Sequence, residues 1–558
     1  MNALVECVPN FSEGRDPEVI KAITDAIAAV DGVNVLDVDP GAATNRTVVT
    51  FVAPPEAAVA GAFAGIAKAA ELIDMSQHTG AHPRMGATDV CPFVPVRGVS
   101  MEECAGLARA LAARVGGELG IPVYLYEEAA SKPERKNLAT VRSGEYEGLV
   151  NKLMDPAWAP DAGPAAFNAQ AKRSGATAIG ARPFLIAYNV NLNTRNVRKA
   201  MKIAALVREK GILQKDADGE IVRDAEGKGI RTPGLFTNVK AIGWFIEEYD
   251  RTQVSINFTD YRVSPVHEVV DAIRRVADAE GVIVTGSELV GLIPLEAMLD
   301  AGRHYLNRQG VNPGAPDDVL IETAVRSLGL RDLAPFDPSE AIVERRIGGD
   351  GPLVSLTGRQ FVDMLSSDAP APGGGSVAAL CGAMSAGLAA MVGQLTTGKK
   401  GYEGEWAAMN EMAVEAQVLK EGFLADVDAD TAAFDSYLTA LGMPKKTDAD
   451  KKARRAAVRA AMIATIEVPL RVLERTAKVM PLIAVAARGN KNARSDAGVG
   501  ALTARACAEG AWYNVCINLQ GFKGPRGPEF RQRADAALEA VEAASAAIGA
   551  QVRQDLTG

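Results

Sequence analysis

Val33-Asn34-Val35-Leu36-Asp37-Val38-Asp39 and, after a short polar turn, Thr47-Val48-Val49-Thr50-Phe51-Val52 are two β-branched runs that read as adjacent strands. Working outward, Asp16–Ala29 and Glu56–Leu72 carry helical periodicity, and Leu4–Phe11 and Val90–Val96 read as outer strands. The order β-α-β-β-α-β is the ferredoxin-like split motif. A helix at Met101–Gly116 and a strand at Val123–Tyr126 extend it. The pattern recurs after Pro183: strand Phe184–Leu192, helix Asn196–Lys210, strands Val239–Glu248 and Gln253–Thr259, helix Val266–Glu280, strand Val282–Thr285. The charged, Gly-rich Asp216–Thr232 reads either as a mobile insertion or as a β-arm turning at Asp218-Gly219 and Glu226-Gly227.

Pro335, Pro338, Gly348, Gly349, Gly351 and Pro352 then punctuate a linker. After Gly375 strand signals vanish. Ser376–Leu395, Glu403–Ala440, Asp448–Val479, Gly498–Leu519 and Glu529–Asp555 read as Ala-rich helices. The expected fold is therefore an α+β N-terminal half of two ferredoxin-like βαββαβ subdomains (1–181 and 182–329). A linker (330–352) joins it to an all-α helical-bundle domain (353–558).

The formal charge of −9 argues against a general nucleic-acid binder. Six scattered cysteines in apolar contexts read as reduced, buried thiols of a cytoplasmic protein. No signal peptide is visible at Met1–Cys7. Ala369–Gly398 lacks charge and is long enough to span a bilayer, but its Gly, Ala and Ser content favours a buried bundle helix.

Two of the four histidines lie in His78-Thr79-Gly80-Ala81-His82-Pro83-Arg84-Met85-Gly86-Ala87-Thr88-Asp89. Histidine exchanges protons near neutral pH, and a Gly/Pro-rich loop presents it to a ligand. Gly80 and Pro83 argue against a helical pair of zinc ligands, so no metal is expected. Ser12 is a candidate cap for the first helix. Asp37, Asp39, Asn45 and Arg46 flank the turn between the two opening strands, where Arg46 can hold a carboxylate or simply be solvated. Gly163, Pro164, Phe167 and Gly175, and further on Gly234, Leu235 and Phe236, suit either a flat aromatic ligand or ordinary crossing loops. Gly373, Gly374, Gly375 and Ser376 open a long helix, as an anion cradle or as a loop capped by Ser376. In Asp426-Val427-Asp428-Ala429-Asp430 the calcium-loop pattern fails at Thr431 and Tyr437. On a helix, Asp426 and Asp430 share a face, either as solvated acids or as a partly desolvated pair whose repulsion raises a carboxyl's pKa. Lys445–Arg455 is a basic run.

Val5-Glu6-Cys7-Val8-Pro9-Asn10-Phe11-Ser12-Glu13-Gly14, with His82-Pro83-Arg84-Met85-Gly86-Ala87, Asp89-Val90-Cys91-Pro92-Phe93, Ala241-Ile242-Gly243-Trp244 and Leu289-Val290-Gly291-Leu292, resembles the glutamate formiminotransferase family. Pro-Gly-Gly-Gly-Ser-Val-Ala-Ala at 372–379 and Asp428-Ala429-Asp430 resemble formimidoyltetrahydrofolate cyclodeaminase. The resemblance covers nearly the whole chain, in the order of the bifunctional formimidoyltransferase-cyclodeaminase family. It implies formimino transfer from N-formimino-L-glutamate to N5 of tetrahydrofolate. It also implies cyclisation to 5,10-methenyltetrahydrofolate with loss of ammonia, in histidine degradation and one-carbon metabolism. It sets the transferase histidine on His82 and the cyclodeaminase acid on Asp430, with Asp428 as the alternative register. Folate contacts fall on Gly163–Gly175 and Gly234-Leu235-Phe236, although extra residues within 169–175 and 210–232 depart from the animal pattern. Tetrahydrofolate, polyglutamylated or not, is the implied co-substrate, with no metal or other cofactor. Asp39, Asn45, Arg46, Arg84 and Gly373–Ser376 are the expected substrate contacts, and the basic run is a candidate polyglutamate receptor. The implied partners are small molecules and further copies of the chain, without nucleic acid or membrane.

Overall fold

The computed structural model describes residues 3–42, 44–80, 82–348 and 351–557. Ala81 of the histidine loop and Gly349 of the linker lie outside them. The chain divides into two compact units. One contains residues 1–297 and 328–348, the other residues 298–327 and 349–558.

In the first unit, β1 (Leu4–Cys7), β2 (Asn10–Phe11), β3 (Asn34–Gly41), β4 (Arg46–Ala53), β5 (Thr88–Arg97), β6 (Val123–Glu127) and β7 (Thr177–Ala181) form one sheet. β1 and β2 both pair with β4 on one side and β5 on the other, so they act as one interrupted strand. The break falls at Val8-Pro9, where proline has no N–H for the ladder and its carbonyl accepts from the Val49 amide instead. The uninterrupted Leu4–Phe11 strand expected from sequence is corrected to this pair. β7 was not anticipated. It lies parallel between β5 and β6, buried along its whole length, and Thr-Ala-Ile-Gly-Ala has no polar alternation to betray it.

Period-two geometry gives this sheet two faces. Val5, Cys7, Phe11, Val49, Phe51 and Phe93 turn to helices Pro17–Ala28, Pro55–Leu72 and Met101–Glu118 and form a core with Ile23, Ile27, Ile66 and Leu111. Each such side chain contributes roughly 1.5–3 kcal/mol. Asp16, not Ser12, caps the first helix, accepting from the Glu18 and Val19 amides, whereas Ser12 is buried and donates to the Gly86 carbonyl.

The second sheet comprises β8 (Ile186–Leu192), β11 (Val239–Ile246), β12 (Arg251–Phe258) and β13 (Val284–Val290), in the order β11-β12-β8-β13. This is the spatial order that the split motif requires. Between them, β9 (Ile212–Leu213) and β10 (Arg231–Thr232) base an exposed β-arm, continued by the bridges Lys215–Ile221 and Arg223–Gly229. The β-arm reading of 216–232 is the one the structure adopts.

In the second unit, helices Gly374–Thr396, Trp406–Gly442, Asp448–Ala486, Arg494–Gln520 and Gly527–Thr557 form the bundle. Gly374–Thr396 is the one described helix long and apolar enough to cross a membrane. It buries Ala379, Ala383, Ala386 and Ala390 in the bundle core. Residues 298–327 join this unit through Asn312, which donates to Thr397 Oγ1 at 2.9 Å, and Gly314, whose carbonyl accepts from Gln417 at 2.9 Å.

Candidate functional site

The second face of the first sheet is polar and meets one face of the second sheet across a cavity of about 840 Å³. One cross-strand row, Asp39–Val48–Asn10–Val90, lies on the first sheet. A matching row, Lys240–Asn257–Ala187–Val290, lies on the second. Arg46 and His82 stand at one end of the first face. Glu6, Glu127 and Arg182 also line the cavity.

His82 Nδ1 lies 2.7 Å from the Pro83 carbonyl. A carbonyl only accepts, so Nδ1 carries the proton and Nε2 presents a lone pair with no partner among the described residues. Burial holds the His82 pKa below its ordinary value. The neighbouring Arg46 and Arg142 cations add to the effect, against the Pro83 hydrogen bond and Asp89. The neutral ring is therefore the resting form at neutral pH.

Asp89, fully buried, organises this end. It binds Arg46 Nη1 at 2.5 Å and Arg142 Nη2 at 2.8 Å, and accepts from the Met85 amide at 3.0 Å. Arg46 Nε also donates to Asn10 Oδ1. Replacing Asp89 by Asn leaves two guanidiniums facing each other. Chemical denaturation should show a loss of about 3–5 kcal/mol, the scale for breaking a buried ion pair.

The other histidine is structural. Arg84 Nε donates to His78 Nδ1 at 3.2 Å, which sets the proton on Nε2, 3.0 Å from the Asn45 carbonyl. Arg84 itself is committed to Glu147 through two 2.8 Å bonds. Asn45 clamps the loop, accepting from Gly14 and donating to the Thr79 carbonyl. Asp39 and Arg46 line the cavity; Arg84 and Asn45 do not.

Gly163, Pro164, Phe167, Gly175, Gly234, Leu235 and Phe236 also lie off the cavity lining. Gly163, at φ 82°, packs its backbone against Ile121. Phe167 packs on Tyr146. Around Gly175 the chain props the His82 loop: Ala176 N donates to Met85 O at 3.1 Å and Ala87 N to Ser174 O at 2.7 Å. Leu235 and Phe236 donate their amides to Leu206 and Val207, and the Leu235 side chain is exposed.

Glu6 is the residue that residue-by-residue reading missed. It is 2 % exposed, and burial raises its pKa from the ordinary 4.5 to about 7, with Arg182 opposing and Glu344 adding. Its signal in the sequence was a lone acid inside an apolar strand. The native state holds the Glu6 proton between pH 4.5 and 7 where the unfolded chain has lost it, so stability falls across that window as pH rises. The full cost above pH 7 is about 3 kcal/mol. Glu6→Gln should recover most of it at pH 8 and little at pH 4.

In the second unit the three acidic residues of the motif have three different surroundings. Asp426 is buried and ion-paired to both Arg471 and Arg475. Asp428 anchors incoming chain, accepting from the Leu353 amide at 2.8 Å and the Val354 amide at 3.3 Å. Asp430 faces the start of helix Gly374–Thr396, so close that a Cβ on Gly375 would overlap its carboxylate. Burial raises the Asp430 pKa, against hydrogen bonding from Ser376. Gly373, not Ser376, is the N-cap, and the Ser376 hydroxyl donates to the Val427 carbonyl at 2.8 Å. Among the described residues no cluster of three His, Cys, Asp or Glu side chains is placed to hold a metal ion.

Residues 4–182 match the formiminotransferase domain, N-terminal subdomain; 187–348 match the formiminotransferase domain; 357–539 match formiminotransferase-cyclodeaminase. The chain is 43 % identical to formimidoyltransferase-cyclodeaminase of Sus scrofa, covering 98 % of each protein. It belongs to the formimidoyltransferase-cyclodeaminase family. The family member of Dictyostelium discoideum is also 43 % identical, over 94 % of each chain. A glutamate formimidoyltransferase of Thermoplasma acidophilum is 46 % identical over 56 % of this chain and 95 % of its own. That relative is about as long as the first unit of this formimidoyltransferase-cyclodeaminase family member.

Proposed function

We infer that this chain transfers the formimino group of N-formimino-L-glutamate to N5 of tetrahydrofolate and then cyclises the product to 5,10-methenyltetrahydrofolate, releasing ammonia. Family membership over nearly the full length supports both activities. The observation that carries the transfer step is His82, with its free Nε2 on the lining of the cavity. Attack of N5 on the amidine carbon forms one C–N bond. His82 Nε2 takes the N5 proton and returns it to the departing glutamate nitrogen as the second C–N bond breaks. Arg46, beside His82, receives a substrate carboxylate, and Asp39 faces the same space.

In the second site N10 attacks the formimino carbon and ammonia departs. Asp430, its pKa raised by burial, supplies the proton. The anchoring contacts of Asp428 support Asp430 as the acid. The Gly373–Ser376 segment borders this site. Folate contact at Gly163–Gly175 and Gly234–Phe236 is carried by the resemblance alone. Of the two, the chain around Gly175 supports the His82 loop through its bonds to Met85 and Ala87.

Further parts of the proposal are a cytoplasmic location and self-association through both halves. Exposed Met384, Met391 and Leu395 on one bundle helix support the latter. Lys445, Lys446 and Lys452 are exposed, as a polyglutamate receptor needs.

The test is glutamate release from N-formimino-L-glutamate and tetrahydrofolate, with ammonia and methenyltetrahydrofolate followed separately. Absence of glutamate release would remove the transfer assignment. Release without ammonia would remove the second. The acid limb of the transferase pH–rate profile is expected below pH 6.5, because the base must be neutral. Arg46→Gln removes a nearby cation and should move that limb to higher pH.

A further inference from the structure

Glu6 makes no hydrogen bond through its carboxylate among the described residues, although it is 2 % exposed and lines the cavity. A buried carboxylate without donors is costly, and native proteins retain one where a ligand completes it. Of the charged groups that act on it, Arg182 donates Nη1 to the Pro183 carbonyl at 3.0 Å, and Glu344 accepts from the Leu295 amide at 2.7 Å.

The register places Glu6 relative to the reacting end. Glu6 pairs with Val52 and Asn10 with Val48, four residues apart on both strands. At about 3.3 Å per residue this is about 13 Å along the floor. Asn10 is bonded to Arg46, so its row marks the His82 end. Val48 and Val90 flank Asn10 in its own row, and between that row and Glu6 lie Val8, Thr50 and Pro92, so the strip on the cavity lining is mostly apolar. Such a strip ending in a buried carboxylate matches a flat heteroaromatic ring whose far edge carries paired N–H donors. The reduced pterin has that edge: ring N3–H and the 2-amino group, side by side. The separation accommodates a fused bicyclic ring, one side chain and a hydrogen bond.

Resting on the transferase reading above, we propose that Glu6 is the pterin-recognition residue of the first unit. Its carboxylate accepts from N3–H and the 2-amino group, and so delivers N5 to the His82 end of the floor. Donor–acceptor complementarity makes this a specificity contact and not a step in the chemistry. A glutamine keeps one acceptor and turns a second N–H against the ligand.

The experiment compares glutamate release by the full-length wild type, Glu6→Gln and Glu6→Asp, with tetrahydrofolate and with its analogue lacking the 2-amino group. In Glu6→Gln the KM for tetrahydrofolate should rise about 10- to 100-fold, the scale of a lost charge-assisted hydrogen bond. The KM for N-formimino-L-glutamate should stay within about twofold of wild type, a shift of less than about 0.5 kcal/mol. Wild type should discriminate against the analogue, Glu6→Asp should keep that discrimination and Glu6→Gln should lose it. Glu6→Gln should melt at or above the wild-type temperature at pH 8, so misfolding does not imitate the result. An unchanged KM for tetrahydrofolate, a raised KM for N-formimino-L-glutamate instead, or preserved discrimination in Glu6→Gln overturns the proposal while leaving the transferase reading intact. Wild type that releases no glutamate removes the reading itself.

Discussion

His82→Gln is expected to slow formimino transfer by about 10²- to 10⁴-fold, the range attributed to a positioned acid–base group. Cyclisation of supplied formiminotetrahydrofolate should continue at the wild-type rate. The argument rests on how the two loop histidines differ. His82 uses one nitrogen to fix its ring on the Pro83 carbonyl and leaves the other free on the cavity lining. Glutamine can mimic the first contact but cannot relay a proton. His78 uses both nitrogens, one toward Arg84 and one toward Asn45. His78→Gln should therefore lower the melting temperature more than it lowers transfer by correctly folded protein. Stopped-flow or steady-state glutamate release, set beside thermal melting of both variants, separates the two roles. Equal loss of transfer in both, with equal melting, would refute the assignment of His82 as the relay.

Asp430→Asn should abolish ammonia release to a similar extent, about 10²-fold or more, with transfer unchanged. Asparagine preserves the shape beside Gly375 but has no proton to donate to the leaving nitrogen. Gly375→Ala is the companion variant. The added methyl would occupy the position of the Asp430 carboxylate and displace it, so cyclisation should fall although no ionisable group is removed. Asp428→Asn weakens the anchoring of the Leu353 and Val354 amides. It should cost about 1 kcal/mol in stability, the scale of one hydrogen bond, while cyclisation continues. Ammonia release by Asp430→Asn at the wild-type rate, or its loss in Asp428→Asn alone, would reverse the assignment.

These variants also show where sequence reading ends. The strand pairs and long helices were legible because apolar spacing follows the local period, and 33–39 with 47–52 carried the whole βαββαβ pattern. His82 stood out because histidine is scarce and its loop is rich in Gly and Pro. β7 was illegible: a strand buried on both faces shows no alternation, and its neighbours β5 and β6 are remote in sequence. Ser12 and Ser376 both read as helix caps, but each donates to a distant carbonyl, Gly86 and Val427 respectively. A hydroxyl's local options are visible in sequence, and its long-range acceptor is not.

By itself the sequence determined the classes of element, the change of texture past residue 350 and the family to which both halves are similar. Those properties follow from local periodicity and from runs of adjacent residues. Only the tertiary structure decided which polar groups have partners. It spent Arg84 on Glu147, Asp428 on backbone amides and Asp89 on two arginines, and left His82 Nε2 and Glu6 open to the cavity. The reason is physical: a charged group's role depends on burial and on partners within a few ångströms. Those partners come from strands and loops that only folding brings together.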